Sequence, residues 1–164
     1  MKKIISLIVV LSLCACGYSP VYKQTKELVE SVQVREVRMV DIIRSAGERR
    51  VAQLTNKRLS QVFIAGEDSA YKLDITIEET KNTLAVLRDA TEDRLEIVLQ
   101  AELTLYNTAG EKVFERSLSA EAPYNVETSP FGTDSGKDRA RKSAAISLAE
   151  EVIHQVNYFM YTQK

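Results

Sequence analysis

"LEIVLQAELTLYNTAGEKVFERSLSA", Leu95 to Ala120, is the stretch whose reading decides the fold. Leu95, Ile97, Leu99, Ala101, Leu103 and Leu105 recur at every second position over eleven residues. A period of two places all of them on one face of a β-strand. "NTAGEK", Asn107 to Lys112, comes next as a hairpin turn, with Gly110 supplying a positive φ at little steric cost. Val113 to Ala120 is then the return strand. An antiparallel pair with one apolar face needs a second layer to cover it.

Working outward, Tyr71, Leu73, Ile75 and Ile77 alternate with Lys72, Asp74, Thr76 and Glu78, which predicts another strand. Asn82 to Leu87 either extends that strand or starts the next. "VQVREVRMV", Val32 to Val40, is rich in β-branched residues at near-alternate spacing and reads as a first strand. Between the two, from Ser45 to Ala65, the period changes. Val51, Leu54, Leu59, Val62 and Phe63 form one stripe, and Arg49, Arg50, Lys57 and Arg58 lie mostly elsewhere, as in an amphipathic helix ended by Gly66. Downstream, Pro123 and "TSPFGTDSGK", Thr128 to Lys137, read as a loop. From about Lys137 the helical period returns, with Ala144, Ala145, Leu148, Val152, Val156 and Phe159 on one face. The order is β-α-β-β-β-α. It predicts an α/β two-layer sandwich of about four mostly antiparallel strands with two helices on one face.

The chain has 164 residues, 45% hydrophobic and 27% charged, enough for one domain with a true core. Its net charge of -1 gives no global basic field for nucleic acid. After Met1-Lys2-Lys3 comes a short apolar run from Ile4 to Leu13, about ten residues and too short for a bilayer core of about 30 Å. A positive start, a short apolar stretch and small residues before a break describe a secretory signal peptide.

The two cysteines, Cys14 and Cys16, stand at the end of that run. Two residues apart, they would close a tight, strained ring as a disulfide. Cys16 comes after Leu13-Cys14-Ala15, which resembles the lipobox of bacterial lipoproteins. In those proteins the cysteine thiol carries a diacylglycerol, the signal is cut just before it, and the new amine is acylated. The resemblance implies that residues 1–15 are a signal peptide, that Cys16 is the lipid attachment site, that residues 16–30 are a lipidated tether and that residues 31–164 are one domain. Each buried methylene contributes about 0.8 kcal/mol, so several acyl chains anchor durably where one binds reversibly. Gly17 stands where Asp would retain such a protein at the inner membrane. The resemblance thus implies an outer-membrane location on the periplasmic side.

Motifs for chemistry are sparse. The sequence has no G-x-S-x-G, H-E-x-x-H, C-x-x-C or G-x-G-x-x-G. His154, the sole histidine, lacks a positioned partner in sequence and reads as a surface or structural residue. Carboxylates cluster at Glu78-Glu79 and at Asp89, Glu92 and Asp93, which read as a solvated strand end and turn. A periplasmic hydrolase built on the second cluster would need a deep pocket and a carboxylate with a raised pKa. The basic runs Arg49-Arg50, Lys57-Arg58 and Arg139-Ala140-Arg141-Lys142 read mostly as solvated helix faces. Arg88 is more pointed. It stands after "TLAVL" at a strand end, before "DATEDR", with Lys81 and Arg94 near in sequence, and a guanidinium there can meet a phosphate bidentately.

The ordered set of a lipobox, "CGYSPVY" (Cys16 to Tyr22), one helix, a three-strand block and "RARKSAAISLAEEVIHQVNYFM" resembles the LPS-assembly lipoproteins, the LptE family, and is most similar to their alphaproteobacterial type. The likeness covers nearly the whole chain after the signal and implies a protein that is not an enzyme and needs no cofactor or metal. Members of that family plug and help assemble the large outer-membrane β-barrel LptD, and bind lipopolysaccharide on its way to the outer leaflet. They place one basic residue for lipid A phosphates in the turn after the second strand, a position that Arg88 matches. A second lies in the loop before the last helix. There this sequence departs, with Thr133 at the matching place and Lys137 as the nearest cation. The alternative is another outer-membrane lipoprotein, an adaptor or scaffold in a different envelope complex, which would share anchor and fold but form no stable complex with a barrel.

Overall fold

The computed structural model describes residues 31–40, 46–64, 66, 68–86 and 92–163. Its elements run in the order β1 (Val32–Met39), α1 (Ala46–Val62), β2 (Tyr71–Val86), β3 (Glu92–Asn107), β4 (Lys112–Asn125) and α2 (Pro130–Thr162). The strands form one sheet in the order β1-β2-β3-β4. β1 lies parallel to β2, with α1 as the crossover that a parallel pair requires, and β2-β3 and β3-β4 are antiparallel. This is the α/β two-layer arrangement expected from the order of periods, as a mixed sheet with both helices on one side.

Alternation decides which side. In register, Leu73 faces Leu105, Ile75 faces Leu103 and Ile77 faces Ala101. Across the next ladder Leu99 faces Ala120 and Leu95 faces Tyr124. These inner positions are buried together with Val51 and Leu59 of α1 and Ala144, Leu148, Val152 and Val156 of α2, in one hydrophobic cluster. Burying a side chain such as Leu148, which is 0% exposed, contributes roughly 1.5–3 kcal/mol. The stripe of α1 is sharper than its sequence suggests. Thr55 is fully buried between Val51 and Leu59, while Leu54 and Val62 are only partly buried. Threonine is tolerated there because its hydroxyl donates to the backbone carbonyl of Ala145 at 3.4 Å, across a face of α2 made of alanines.

The turn at Asn107 forms as expected. Gly110 has φ of 79°, its amide donates to the Asn107 carbonyl at 3.0 Å, and the Asn107 side chain accepts from the Glu111 amide at 2.9 Å. Asn82 to Val86 extend β2.

Three boundaries differ from the sequence reading. α1 ends at Val62, four residues before Gly66. Pro123 lies inside β4, opposite Glu96, and not in a loop. An edge strand tolerates proline because one row of its backbone groups has no ladder partner to lose. Finally, the loop expected at Thr128 to Lys137 is mostly the first turns of α2, which begins at Pro130. Proline fixes the helical φ and lacks only an amide that would have no partner there. Thr133 closes the first turn onto the Ser129 carbonyl at 3.1 Å. Its hydroxyl also accepts from the Glu127 amide at 2.8 Å and donates to the Glu127 carbonyl at 3.2 Å. These bonds offset the cost, about 1 kcal/mol each, of Gly132 and Gly136 within a helix.

Candidate functional site

Along β2 the inner face changes character. After Leu73, Ile75 and Ile77 its next inward positions are Glu79, Lys81 and Thr83. The side chain of Glu79 is 8% exposed and that of Arg141 on α2 is 12% exposed. The Arg141 Nε donates to both Glu79 carboxylate oxygens at 2.9 and 3.0 Å, and Nη2 donates to Oε1 at 2.7 Å. This fork ties α2 to the sheet where the inward face of β2 turns from apolar to polar. Beyond it Lys81, Asn82, Thr83 and Leu84 are exposed, although Leu95 and Ile97 on β3 stay buried.

The phosphate contact expected from the sequence falls between β2 and β3. Arg88 and Asp89 lie outside the described residues, as do Cys16, residues 1–15 and residues 16–30. Lys137 is half-buried on α2, one turn before Arg141. Thr133 is taken up by Glu127, a local structural role. Register separates two of the cations grouped by sequence. Lys81 pairs with Ile97 on the inner face, whereas Arg94 lies opposite Ala85 and alternates to the other face from Leu95.

The outer face of the sheet is mostly polar in its middle, although the buried Val98 of β3 also lies on it. A groove of about 460 Å³ there is lined by Thr76, Glu78, Gln100, Glu102, Ser117 and Ser119 among others. Arg35, the extra residue at a bulge in β1, forms an ion pair with Asp74 and lies 5.0 Å from the centre of the Tyr106 ring. The hydrogen bond that Arg35 donates to the Asp74 carboxylate raises the Arg35 pKa above its ordinary value, so this cation keeps its charge at any physiological pH. Such a face offers charge and hydrogen bonds to a wet partner.

The basic runs divide. Arg58 pairs with Glu150 at 2.6 Å and Arg141 with Glu79, so each clips one element to another. Glu79 is therefore no solvated strand end. It sits at the inward phase of β2, and Arg141 falls on the buried stripe that continues through Ala144 and Leu148. Those two phases were the signal that sequence reasoning passed over. Glu78 is exposed on the opposite face, and His154 is exposed on α2. Among the described residues no group of three or more His, Cys, Asp or Glu is placed to hold a metal, and no helix is long and apolar enough to cross a membrane.

No family model and no curated protein matches the sequence. Solved structures do match. A protein of Caulobacter crescentus described as a lipoprotein aligns with a TM-score of 0.58 at 15% identity, over 85% of this chain and 97% of that one. Rare lipoprotein B of Shewanella oneidensis aligns with a TM-score of 0.58 at 12% identity, over 80% of this chain and 97% of that one. Lipoprotein B of Nitrosomonas europaea aligns at 0.54 and 13%, over 81% and 88%. The chain thus has a fold that is found in bacterial lipoproteins.

Proposed function

We propose that this protein is an outer-membrane lipoprotein, held on the periplasmic side through acyl chains on Cys16. In this reading it plugs and helps assemble the LptD β-barrel and binds lipopolysaccharide in transit to the outer leaflet. The observation that carries the reading is the pairing of a lipobox at Cys16 with a fold shared along 80% or more of the chain with lipoproteins. The polar outer face supports it, because the lumen of a large barrel is polar and wet. Arg88 and Lys137 bind lipid A phosphates, and the protein performs no catalysis.

Mild-detergent purification of the full-length protein from native outer membranes tests this. A stoichiometric large β-barrel that stays bound in high salt is the expected result, together with a mass at Cys16 that includes acyl chains. An anchored protein without a barrel overturns the plug reading and leaves an adaptor of another envelope complex. Given the barrel, Arg88→Ala is expected to weaken lipopolysaccharide binding about tenfold, the scale of one charge-assisted hydrogen bond.

A further inference from the structure

Between α1 and α2 lies a cleft of about 280 Å³ whose lining does not include Lys137. Arg50 stands on one wall and Arg139 and Lys142 on the other, above Val51 and Leu54. All three cations are exposed. Asp138 lies beside them, and the charge of Arg141 is matched by Glu79. The cleft therefore holds three cations against one carboxylate. Among the described residues no carboxylate lies within ion-pair distance of Arg50, Arg139 or Lys142, although Arg58 and Arg141 on the same two helices are both paired.

This arrangement has a cost. Arg139 and Lys142 are three residues apart on one helix, where like charges repel, and Arg50 adds a third from the facing helix. An anion in the cleft reverses the sign of that interaction. Two guanidinium groups and one ammonium suit phosphate oxygens, the guanidiniums by their paired donors. Size narrows the ligand. The volume lies just under the usual range of about 300–1,000 Å³ for small-molecule pockets, enough for a phosphate and part of a sugar but not for acyl chains.

We propose that this interhelical cleft binds the phosphate or diphosphate of a phosphorylated sugar, as carried on the headgroup of a glycolipid. The lipid source rests on the function proposed above, whereas the phosphate chemistry does not. The two are separated by titrating the full-length protein with inorganic pyrophosphate, with lipopolysaccharide and with dephosphorylated lipopolysaccharide. The variants are Arg50→Gln, Arg139→Gln, Lys142→Gln, their triple combination, and Lys57→Gln as an exposed control on α1.

Each cleft substitution is expected to weaken pyrophosphate about tenfold, and the control not at all. The triple variant loses pyrophosphate binding and discriminates less between the two lipid forms. Pyrophosphate that binds the wild type and the triple variant equally, or fails to bind the wild type, overturns the proposal. Pyrophosphate binding that depends on the cleft, in a protein indifferent to lipopolysaccharide, upholds the phosphate site and removes the lipid reading instead.

Discussion

The two ends of the same sheet are built on different terms. At the Asn107 turn the ladders close under aromatic side chains. Phe159 of α2 meets Tyr71 edge-on at 6.1 Å and Phe114 at 4.8 Å, and the turn is tied by its own asparagine. At the opposite end β2 and β3 run on in register past Glu79, but the inward positions of β2 turn from Leu73, Ile75 and Ile77 to Glu79, Lys81 and Thr83. The first end is stabilised by buried apolar area. The second is held by backbone pairing, by one forked ion pair and by apolar side chains of β3 and β4 such as Leu95, Ile97 and Tyr124, while the side chains of β2 from Lys81 to Leu84 are exposed. Along β2 the inward face thus passes from apolar to polar, while that of β3 stays apolar.

The comparison can be broken at its apolar end. Leu148→Ala removes a fully buried side chain from the middle of α2 and is expected to cost about 2–5 kcal/mol, read as a fall in the urea midpoint. Arg141→Ala tests the boundary between the halves. It leaves Glu79 buried without its partner and should cost about 3 kcal/mol, while a paired Glu79→Gln and Arg141→Met variant should recover most of that loss. If the single variant were neutral, the ion pair would not be what joins α2 to the sheet.

Smaller effects sharpen the picture. Gly110→Ala forces a side chain into φ of 79° and should cost about 1 kcal/mol, seen as a lower melting temperature with the fold intact by circular dichroism. Leu84→Ser at the far end, where Leu84 is 48% exposed, should change stability by less than about 0.5 kcal/mol. A loss as large as that of Leu148→Ala would show that Leu84 itself packs into the core. For the pair of Lys112 and Glu115, the sign is set by the raised Lys112 pKa. Any contribution is fully present below the ordinary lysine value and is lost only as pH rises through the raised one. Thermal stability should therefore not respond to this pair near neutral pH.

Local periodicity, and the elements it dictates, were determined by the sequence alone. Strand β3, the hairpin at Gly110, the buried face of α2 and the β-α-β-β-β-α order all arise from alternation or helical stripes among neighbours in sequence, and the hydrophobic effect reads those directly. The lipobox-like stretch at Cys16 is legible in sequence and the expected phosphate contact at Arg88 comes from a sequence resemblance, and both positions fall outside the described residues. Tertiary structure decided whatever depends on partners far along the chain. The parallel pairing of β1 with β2 needs the α1 crossover. Thr55 can be buried only because the carbonyl of Ala145, ninety residues away, accepts its hydroxyl. The union of Glu79 with Arg141 and the gathering of Arg50, Arg139 and Lys142 arise in the same way. In sequence these are charges on separate elements, and only the docking of α1 and α2 on one sheet face sets which are neutralised and which are left facing a cleft.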